Sequence, residues 1–392
     1  MSNQTTNTVD ARVLMASAAG STGLEDYGRL DFIEPLDQFL DSVQNEARLG
    51  PMGLEGLKAD ILRLLTNRLR IQAAITAHPE ILDEDVSDPI LITGLPRTGS
   101  TKLHKVLGSR PGTQTLPLWQ ALNPAPLVET HGSPDPRITF ADEQSAMLAQ
   151  HAPEFMAAHP MRTHEPEEEV LLMQLSFRTF TNGWFYRAPS YVDWVMLQDQ
   201  TPAYHDTRTA LQYLQWQNGG RQGRPWVLKS PAHLGTIDVV FATFPKATVV
   251  HCHRAPHEAI GSLTRFIDVV RRSRGAEDVD AVELGQFLRE FCAQLWSRNL
   301  TQREHLDGRQ ILDVRYEDIR DDIAPVLREI HARRGSTLDD DTVQTMLAWQ
   351  DENPQHRFGK HTYNLEQYSL TREDIDATFG HYLDRFPTRS PG

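Results

Sequence analysis

Residues 89–101 read PILITGLPRTGST. The first six are short, apolar and closed by a glycine, the pattern of a strand buried on both faces of a parallel sheet. Gly94 and Gly99 then stand five apart with Ser100 and Thr101 behind them, the spacing of a phosphate-binding loop, G-x-x-x-x-G-K-[ST]. The two glycines let the chain curl, and the N–H groups of Thr98, Gly99, Ser100 and Thr101 are expected to point inward at a helix N-terminus, where they cradle an anion. Arg97 adds a fork of donors suited to two non-bridging oxygens. Ser100, however, stands where a lysine would reach the β- and γ-phosphates of a nucleoside triphosphate. The loop has the shape for an anion without the residue that handles a triphosphate.

Three further stretches have the composition of buried strands: RPWVLK (224–229), ATVVHCHR (247–254) and QILDVRY (310–316). Helical patterns separate them. TKLHKVLGS sets Leu103, Val106 and Leu107 on one face, and PHEAIGSLTRFIDVVRR opens on Pro256 and carries the stripe Ala259, Ile260, Leu263, Phe266, Ile267 and Val270. This alternation predicts an α/β fold, a three-layer arrangement around a central parallel sheet. Residues 1–85 read as a helical N-terminal region behind a loose tail, with Leu54, Leu57, Ile61, Leu64, Leu65, Leu69 and Ile71 near a 3.6-residue period. The α/β unit then runs over 86–392 and holds a mostly helical insert at 112–223. Aromatic residues crowd that insert, among them Trp119, Phe155, Phe177, Trp184, Tyr204 and Trp216. They give it a core of its own, and some are candidates to line an apolar pocket beside the sheet.

Ligands of open parallel sheets bind beyond the carboxyl ends of the strands. Those ends carry Gly94 and Arg97, Lys229, Arg254 and Tyr316, which together point to a polyanionic nucleotide. Arg254 and Ser262, eight residues apart, have the spacing to clamp a second phosphate. The same spacing also allows Arg254 to pair with Glu258 while Ser262 faces solvent.

The 392-residue chain has a net charge of −14, which argues against coating nucleic acid or anionic membrane through bulk electrostatics. Cys252 and Cys292 are its two cysteines, too few for a disulfide framework and suited to a reducing cytoplasm. No secretory leader and no run of eighteen apolar residues is visible, so a cytoplasmic protein without a membrane span is expected. Sixteen histidines fall into no zinc-binding spacing, and no metal is expected. No heptad run or basic tail points to a particular partner.

LPRTGST, WVLKSPAHL and VVHCHRAPHEAIGSL, in this order, resemble the sulfotransferases that use 3′-phosphoadenosine 5′-phosphosulfate (PAPS), most closely the bacterial small-molecule members. The similarity continues through VRYEDI and RFGKHTYNLEQYSLT, covering most of the chain from about residue 20 to 386. It implies a P-loop-like fold whose loop takes a 5′-phosphosulfate, so no triphosphate lysine is expected. By the same matching Arg97 is the loop cation, Lys229 serves the bridging oxygen, Arg254 and Ser262 hold the 3′-phosphate, and Tyr316 lies near the adenosine. Arg357, Gly359 and Lys360 match a basic loop that closes over that phosphate. The resemblance further implies 3′,5′-bisphosphoadenosine (PAP) as product, a hydroxyl of a small, fairly apolar molecule as acceptor, and the insert as an acceptor-binding cap.

The resemblance does not carry over a general base. Cytosolic members have a histidine two residues after the lysine, where this chain has Pro231. The candidates are Glu167 or Glu168 in HEPEEE (164–169), then His233, then His164. The acidic run is read as the first turn of a helix, EEEVLLMQLSFRTF, where carboxylates also favour the helix dipole without any further role. Two other readings compete: a non-catalytic nucleotide-binding protein, and a magnesium-dependent kinase with a degenerate loop. The second would need an acidic strand end.

Overall fold

The computed structural model describes residues 9–127, 135–306, 311–352 and 364–386. Its sheet has the parallel order β2-β1-β3-β4, with β1 at Ile90–Gly94, β2 at Val227–Lys229, β3 at Thr248–His253 and β4 at Ile311–Arg315. Each lies inside the stretch expected from the apolar runs. Register is continuous across the centre, with Ile92 of β1 beside Lys229 of β2 and Gly94 beside Cys252 of β3. From β1 the chain moves outward to β2, and from β3 it moves the other way to β4. The carboxyl ends of β1 and β3 therefore flank the switch point at which such sheets bind ligands.

The strands are apolar on both sides because both sides are covered. Ile90, Ile92, Val227, Val250 and Cys252 face one apolar cluster, built with α4 (Ser100–Gly108), α15 (Tyr316–Asp321), α16 (Ala324–Arg333) and α17 (Asp340–Glu352). Leu91, Leu228 and Val249, the alternate residues, face a larger cluster. That one takes in α12 (Ile237–Thr243), α13 (Pro256–Ser273), α14 (Ala281–Arg303), and the C-terminal pair α18 (Arg372–Thr378) and α19 (Gly380–Arg385). The α13 stripe expected from the sequence is buried except Phe266, which is half-buried. Thr371 caps α18 through the Asp374 N–H, as its spacing suggested.

The N-terminal helices α1 (Ala11–Thr22), α2 (Ile33–Glu46) and α3 (Pro51–Ala77) pack into the larger cluster too. Leu57, Ile61, Leu64, Leu65, Leu69 and Ile71 form its buried face on α3. Between β1 and β2 run α5 (Leu118–Leu122), α6 (Pro136–His151), α7 (Pro153–Ala158), α8 (Val170–Met173), α9 (Phe180–Phe185), α10 (Pro189–Met196) and α11 (Thr201–Gln217).

One local expectation fails in this insert. The acidic run does not open a helix reaching Phe180. Glu167 N–H donates to the Leu116 carbonyl at 2.8 Å in an extended pairing that continues the Pro117–Pro166 bridge. Helix begins only at Val170 and stops at Met173. Phe177 then takes a left-handed φ of 51°, and Arg68 Nη1 donates to the Leu175 carbonyl at 2.9 Å. Tertiary hydrogen bonds here replace those a longer helix would have made.

Gly94 ends β1 with a φ of 144°, and a Cβ there would collide with the Cys252 carbonyl and meet Thr98 Oγ1 at 3.2 Å. Gly94→Ala is therefore expected to lower stability by about 2–3 kcal/mol, read as a lower urea midpoint. Coincident unfolding curves would show that the strand end relaxes freely.

Candidate active site

The loop after β1 curls back through Arg97, whose φ is 72°, and Gly99, whose φ is 84°, before α4 begins at Ser100. A left-handed arginine is a strained choice that neighbouring contacts must hold in place. Arg97 Nε donates to Ser262 Oγ at 3.1 Å, and Nη1 donates to the Ala158 carbonyl at 3.0 Å. The Arg97 carbonyl in turn accepts from Arg254 Nη1 at 2.9 Å. Arg254 also pairs with Glu258 at 2.7 Å and lies over the Tyr316 ring at 4.2 Å from its centroid. Tyr382 of α19 brackets the Arg254 backbone, its hydroxyl 3.2 Å from both the N–H and the carbonyl.

The cavity above this loop is lined by Arg97, Gly99, Ser100, Thr101, Lys229, Arg254 and Tyr316. His104, Lys105, His159 and Glu167 close its other side. Burial and then the neighbouring Arg254 cation pull the Arg97 guanidinium below its ordinary value. Lys105 and Lys229 are paired with Glu165 and Glu168, whereas the side-chain bonds of Arg97 go to neutral groups. An anion entering here would relieve the repulsion between two adjacent guanidinium groups.

Lys229 is held from both ends. Its ammonium bonds Glu168 and Thr101 Oγ1, the latter at 3.3 Å. Its backbone N–H donates to Glu169 Oε2 at 2.7 Å. Glu169 is completely buried, and its other oxygen faces His233 Nε2 at 2.5 Å. His233 Nδ1 meets the Tyr204 hydroxyl at 2.7 Å, which meets Thr236 Oγ1 at 2.6 Å. Burial alone would raise the Glu169 carboxyl, but the hydrogen bond and charge of His233 hold it below the ordinary range.

Glu167 and His159 form a second pair. His159 Nε2 lies 3.0 and 3.2 Å from the two carboxylate oxygens. Burial works to raise this carboxyl; the His159 charge and hydrogen bond, Lys229, and the Glu168 N–H outweigh it and bring it to about 2. His104, one turn into α4, is fully enclosed with Nε2 at 3.2 Å from the Val227 carbonyl. Burial and then Lys229 push it down to about 4, so it is a neutral imidazole at pH 7.

The structure thus brings Arg97, Thr101, Lys229, Arg254, Ser262, Tyr316, Glu167 and Glu168 to one cavity or its immediate wall. Ser262 faces Arg97 rather than solvent, and Arg254 makes both the Glu258 pair and the inward contacts that spacing alone left open. Thr98 is buried under the loop, its hydroxyl donating to the Leu95 carbonyl at 2.8 Å. His233 is 1% exposed, with both ring nitrogens engaged away from the cavity. His164 is exposed and does not line it. Arg357, Gly359 and Lys360 lie outside the described residues. The insert aromatics serve the core: Phe177, Trp184, Tyr191 and Tyr204 are buried, and none of the rings quoted from the insert lines the cavity.

His104, His159, Glu169 and Lys105 are the additions the sequence reading lacked. Glu169 was one residue beyond the two carboxylates singled out; no spacing marks His159. Among the described residues, two clusters could share a cation, His251–His253–Asp313 and His159–Glu167–Glu168. In the first, Arg303 bonds Asp313 at 2.7 and 2.8 Å; in the second, the Lys229 ammonium bonds Glu168. Protein cations already serve both carboxylates. Among the described residues, no helix is long and apolar enough to cross a membrane.

Comparison with known proteins bears on this geometry. Residues 89–340, well over half the chain, match the model described as "Sulfotransferase family". The omega-hydroxy-beta-dihydromenaquinone-9 sulfotransferase Stf3 of Mycobacterium bovis is 22% identical over 83% of this chain and 82% of its own. The crystal structure of sulfotransferase STF9 from Mycobacterium avium superposes with a TM-score of 0.87 at 27% identity over 99% of both chains. That of sulfotransferase STF1 from Mycobacterium tuberculosis H37Rv gives 0.80 at 29% identity over 95% of this chain and 99% of that one.

A carboxyl held near 2 in the fold and near 4.5 when unfolded gives stability that is present above about pH 4.5 and lost as pH falls toward 2. Glu167→Gln should therefore unfold with a shallower loss of stability between pH 4.5 and pH 3 than the parent. Parallel urea-midpoint profiles for the two proteins would contradict the assigned ion pair.

Proposed function

The chain belongs to the sulfotransferase family, and from that premise we propose that its donor is PAPS and its acceptor a hydroxyl of a small, fairly apolar molecule. The enzyme transfers a sulfuryl group. The observation that carries the donor assignment is the convergence of Arg97, Lys229 and Arg254 with the N-terminus of α4 on one cavity.

In this reading the N–H groups from Thr98 to Thr101 and the Arg97 fork take the 5′-phosphosulfate. Ser262 accepts from Arg97, so its own O–H remains to donate to a 3′-phosphate beside Arg254. Tyr316, already under the Arg254 guanidinium, offers a ring face to the adenine. Arg357, Gly359 and Lys360 are assigned to the segment closing over the 3′-phosphate. A fixed array of this kind suits in-line transfer, in which positioning and charge stabilisation supply most of the rate. The acceptor oxygen bonds to sulfur as the bond from sulfur to the phosphate oxygen breaks, and PAP departs with that electron pair. Lys229 places its ammonium on the leaving oxygen. Glu168 orients Lys229, and the acidic side of the cavity, Glu167 included, faces the entering hydroxyl.

Two observations support an apolar acceptor. The Mycobacterium bovis relative is named for a hydroxylated dihydromenaquinone. Behind the His159 ring, Phe155 and Phe266 pack at 6.1 and 6.0 Å, an apolar layer next to the cavity rather than part of its lining.

Calorimetric titration tests the donor. PAP should bind in the micromolar range, ATP with magnesium far more weakly, and Arg254→Ala should weaken PAP by about 10- to 100-fold. ATP binding equal to PAP, or PAP binding indifferent to Arg254, would sink the assignment in favour of a kinase-like site. With PAPS as donor, Lys229→Ala should lower kcat by about 100- to 1,000-fold and leave PAP affinity nearly intact. Retained turnover would remove Lys229 from the leaving-group side.

A further inference from the structure

We propose that His159 is the base that takes the acceptor's proton, with Glu167 holding its ring. This deepens the sulfotransferase reading and rests on it. Four observations converge on His159. It lines the same cavity as Arg97 and Lys229. Its Nε2 faces both oxygens of Glu167, so beside an ionised carboxylate Nε2 carries the proton and Nδ1 keeps its lone pair. No bond from Nδ1 to another described residue is made. The ring follows directly on α7, whose last carbonyl, that of Ala158, accepts from Arg97. The imidazole and the loop cation are therefore fixed to one another by adjacent residues.

The other candidates are engaged elsewhere. Glu168 is bound to the Lys229 ammonium, Glu167 to His159, and Glu169 and His233 to one another in a sealed network. A carboxylate held by a lysine has its oxygens occupied, whereas an imidazole held at Nε2 by a carboxylate presents Nδ1 to an incoming hydroxyl. As the oxygen–sulfur bond forms, the O–H bond breaks and its proton goes to Nδ1, giving an imidazolium beside Glu167. The leaving electron pair stays with PAP.

Charged groups surround the ring. Glu167 bonds it, Glu168 lies within 4.8 Å, and Arg97, Lys105, Lys229 and Arg254 share the cavity. From α13, Arg265 faces the same flank but is paired with Glu154 and Asp268. Removing Glu167 takes away the carboxylate that holds the proton on Nε2, so the ring loses its fixed tautomer.

The test uses PAPS with 2-naphthol as acceptor, and with water alone as the acceptor open to any sulfotransferase. His159→Gln should lower kcat by about 100-fold or more and abolish the acid limb, with PAP affinity by calorimetry within about 3-fold of the parent. Glu167→Gln should reduce kcat while PAP affinity stays near that of the parent. Nitrogen-15 NMR of labelled histidine gives a readout apart from turnover: His159 should hold its proton on Nε2 in the parent and lose that preference in Glu167→Gln. Full turnover of His159→Gln with an unchanged acid limb, while PAP still binds, would overturn this inference and leave the donor reading standing. Failure of the parent protein to bind PAP would overturn both.

Discussion

Two consecutive carboxylates grip one lysine. Glu169 accepts the Lys229 backbone N–H at the end of β2, and Glu168 meets the ammonium at the tip of the same side chain. The arrangement fixes the insert against the sheet, because the carboxylates come from one and the lysine from the other. Severing such a buried contact leaves an uncompensated charge, which typically costs about 3–5 kcal/mol. Behind it, the chain through His233, Tyr204 and Thr236 returns to α11 and the start of α12, so the carboxyl end of β2 is tied to both helices. Residues 166–168 follow the strand-like pairing with Leu116 and Pro117, and Glu169 turns into α8 with a helical backbone. Glu168 and Glu169, on either side of that turn, reach the two ends of Lys229.

The same economy governs the loop after β1. Its left-handed Arg97 would be strained in isolation. It is held from the α13 side by Ser262, from the α7 side by the Ala158 carbonyl, and beneath by Arg254 bonding its own carbonyl. Arg254 is in turn set by Glu258, Tyr316 and the Tyr382 hydroxyl from the far end of the chain. Loop, strand ends and C-terminal helix thus form one hydrogen-bonded unit at the switch point of the sheet.

The strands and the long helices were legible because they are the parts whose apolar periodicity has a single use. A run such as PILITG suits a strand covered on both faces, and α3 and α13 show unbroken stripes. The phosphate loop and the strand-end cations were legible for a geometric reason: parallel strands deliver their carboxyl ends to one edge, so residues at those ends meet whatever the intervening length. The acidic side of the site follows no such rule. His159 reaches the cavity and Glu169 the Lys229 backbone through packing of the insert, and His104 turns in from α4; no local period encodes these meetings. Proximity of Glu167 and Pro166 to helix-forming residues favoured a helix that the bond to the Leu116 carbonyl then displaced. The insert's aromatics were read by composition, and composition could not tell a core ring such as Trp184 from a lining one.

The charge pattern ties these features to the reaction class. A protein with net charge −14 repels a polyanion at long range, so its donor cavity must attract locally. Most of the lining cations are already answered by carboxylates: Lys105 by Glu165, Lys229 by Glu168, Arg254 by Glu258. Arg97 alone among these four is bonded to neutral partners while lying beside another guanidinium. The attraction is therefore concentrated at the loop, where a phosphosulfate would sit, and not spread evenly along the cavity. The Lys229 ammonium uses two of its three hydrogens on Glu168 and Thr101, which leaves one for a further acceptor such as a leaving oxygen. The same side chain touches Thr101 at the start of α4 and Glu168 of the acidic wall, and so joins the two halves of the cavity.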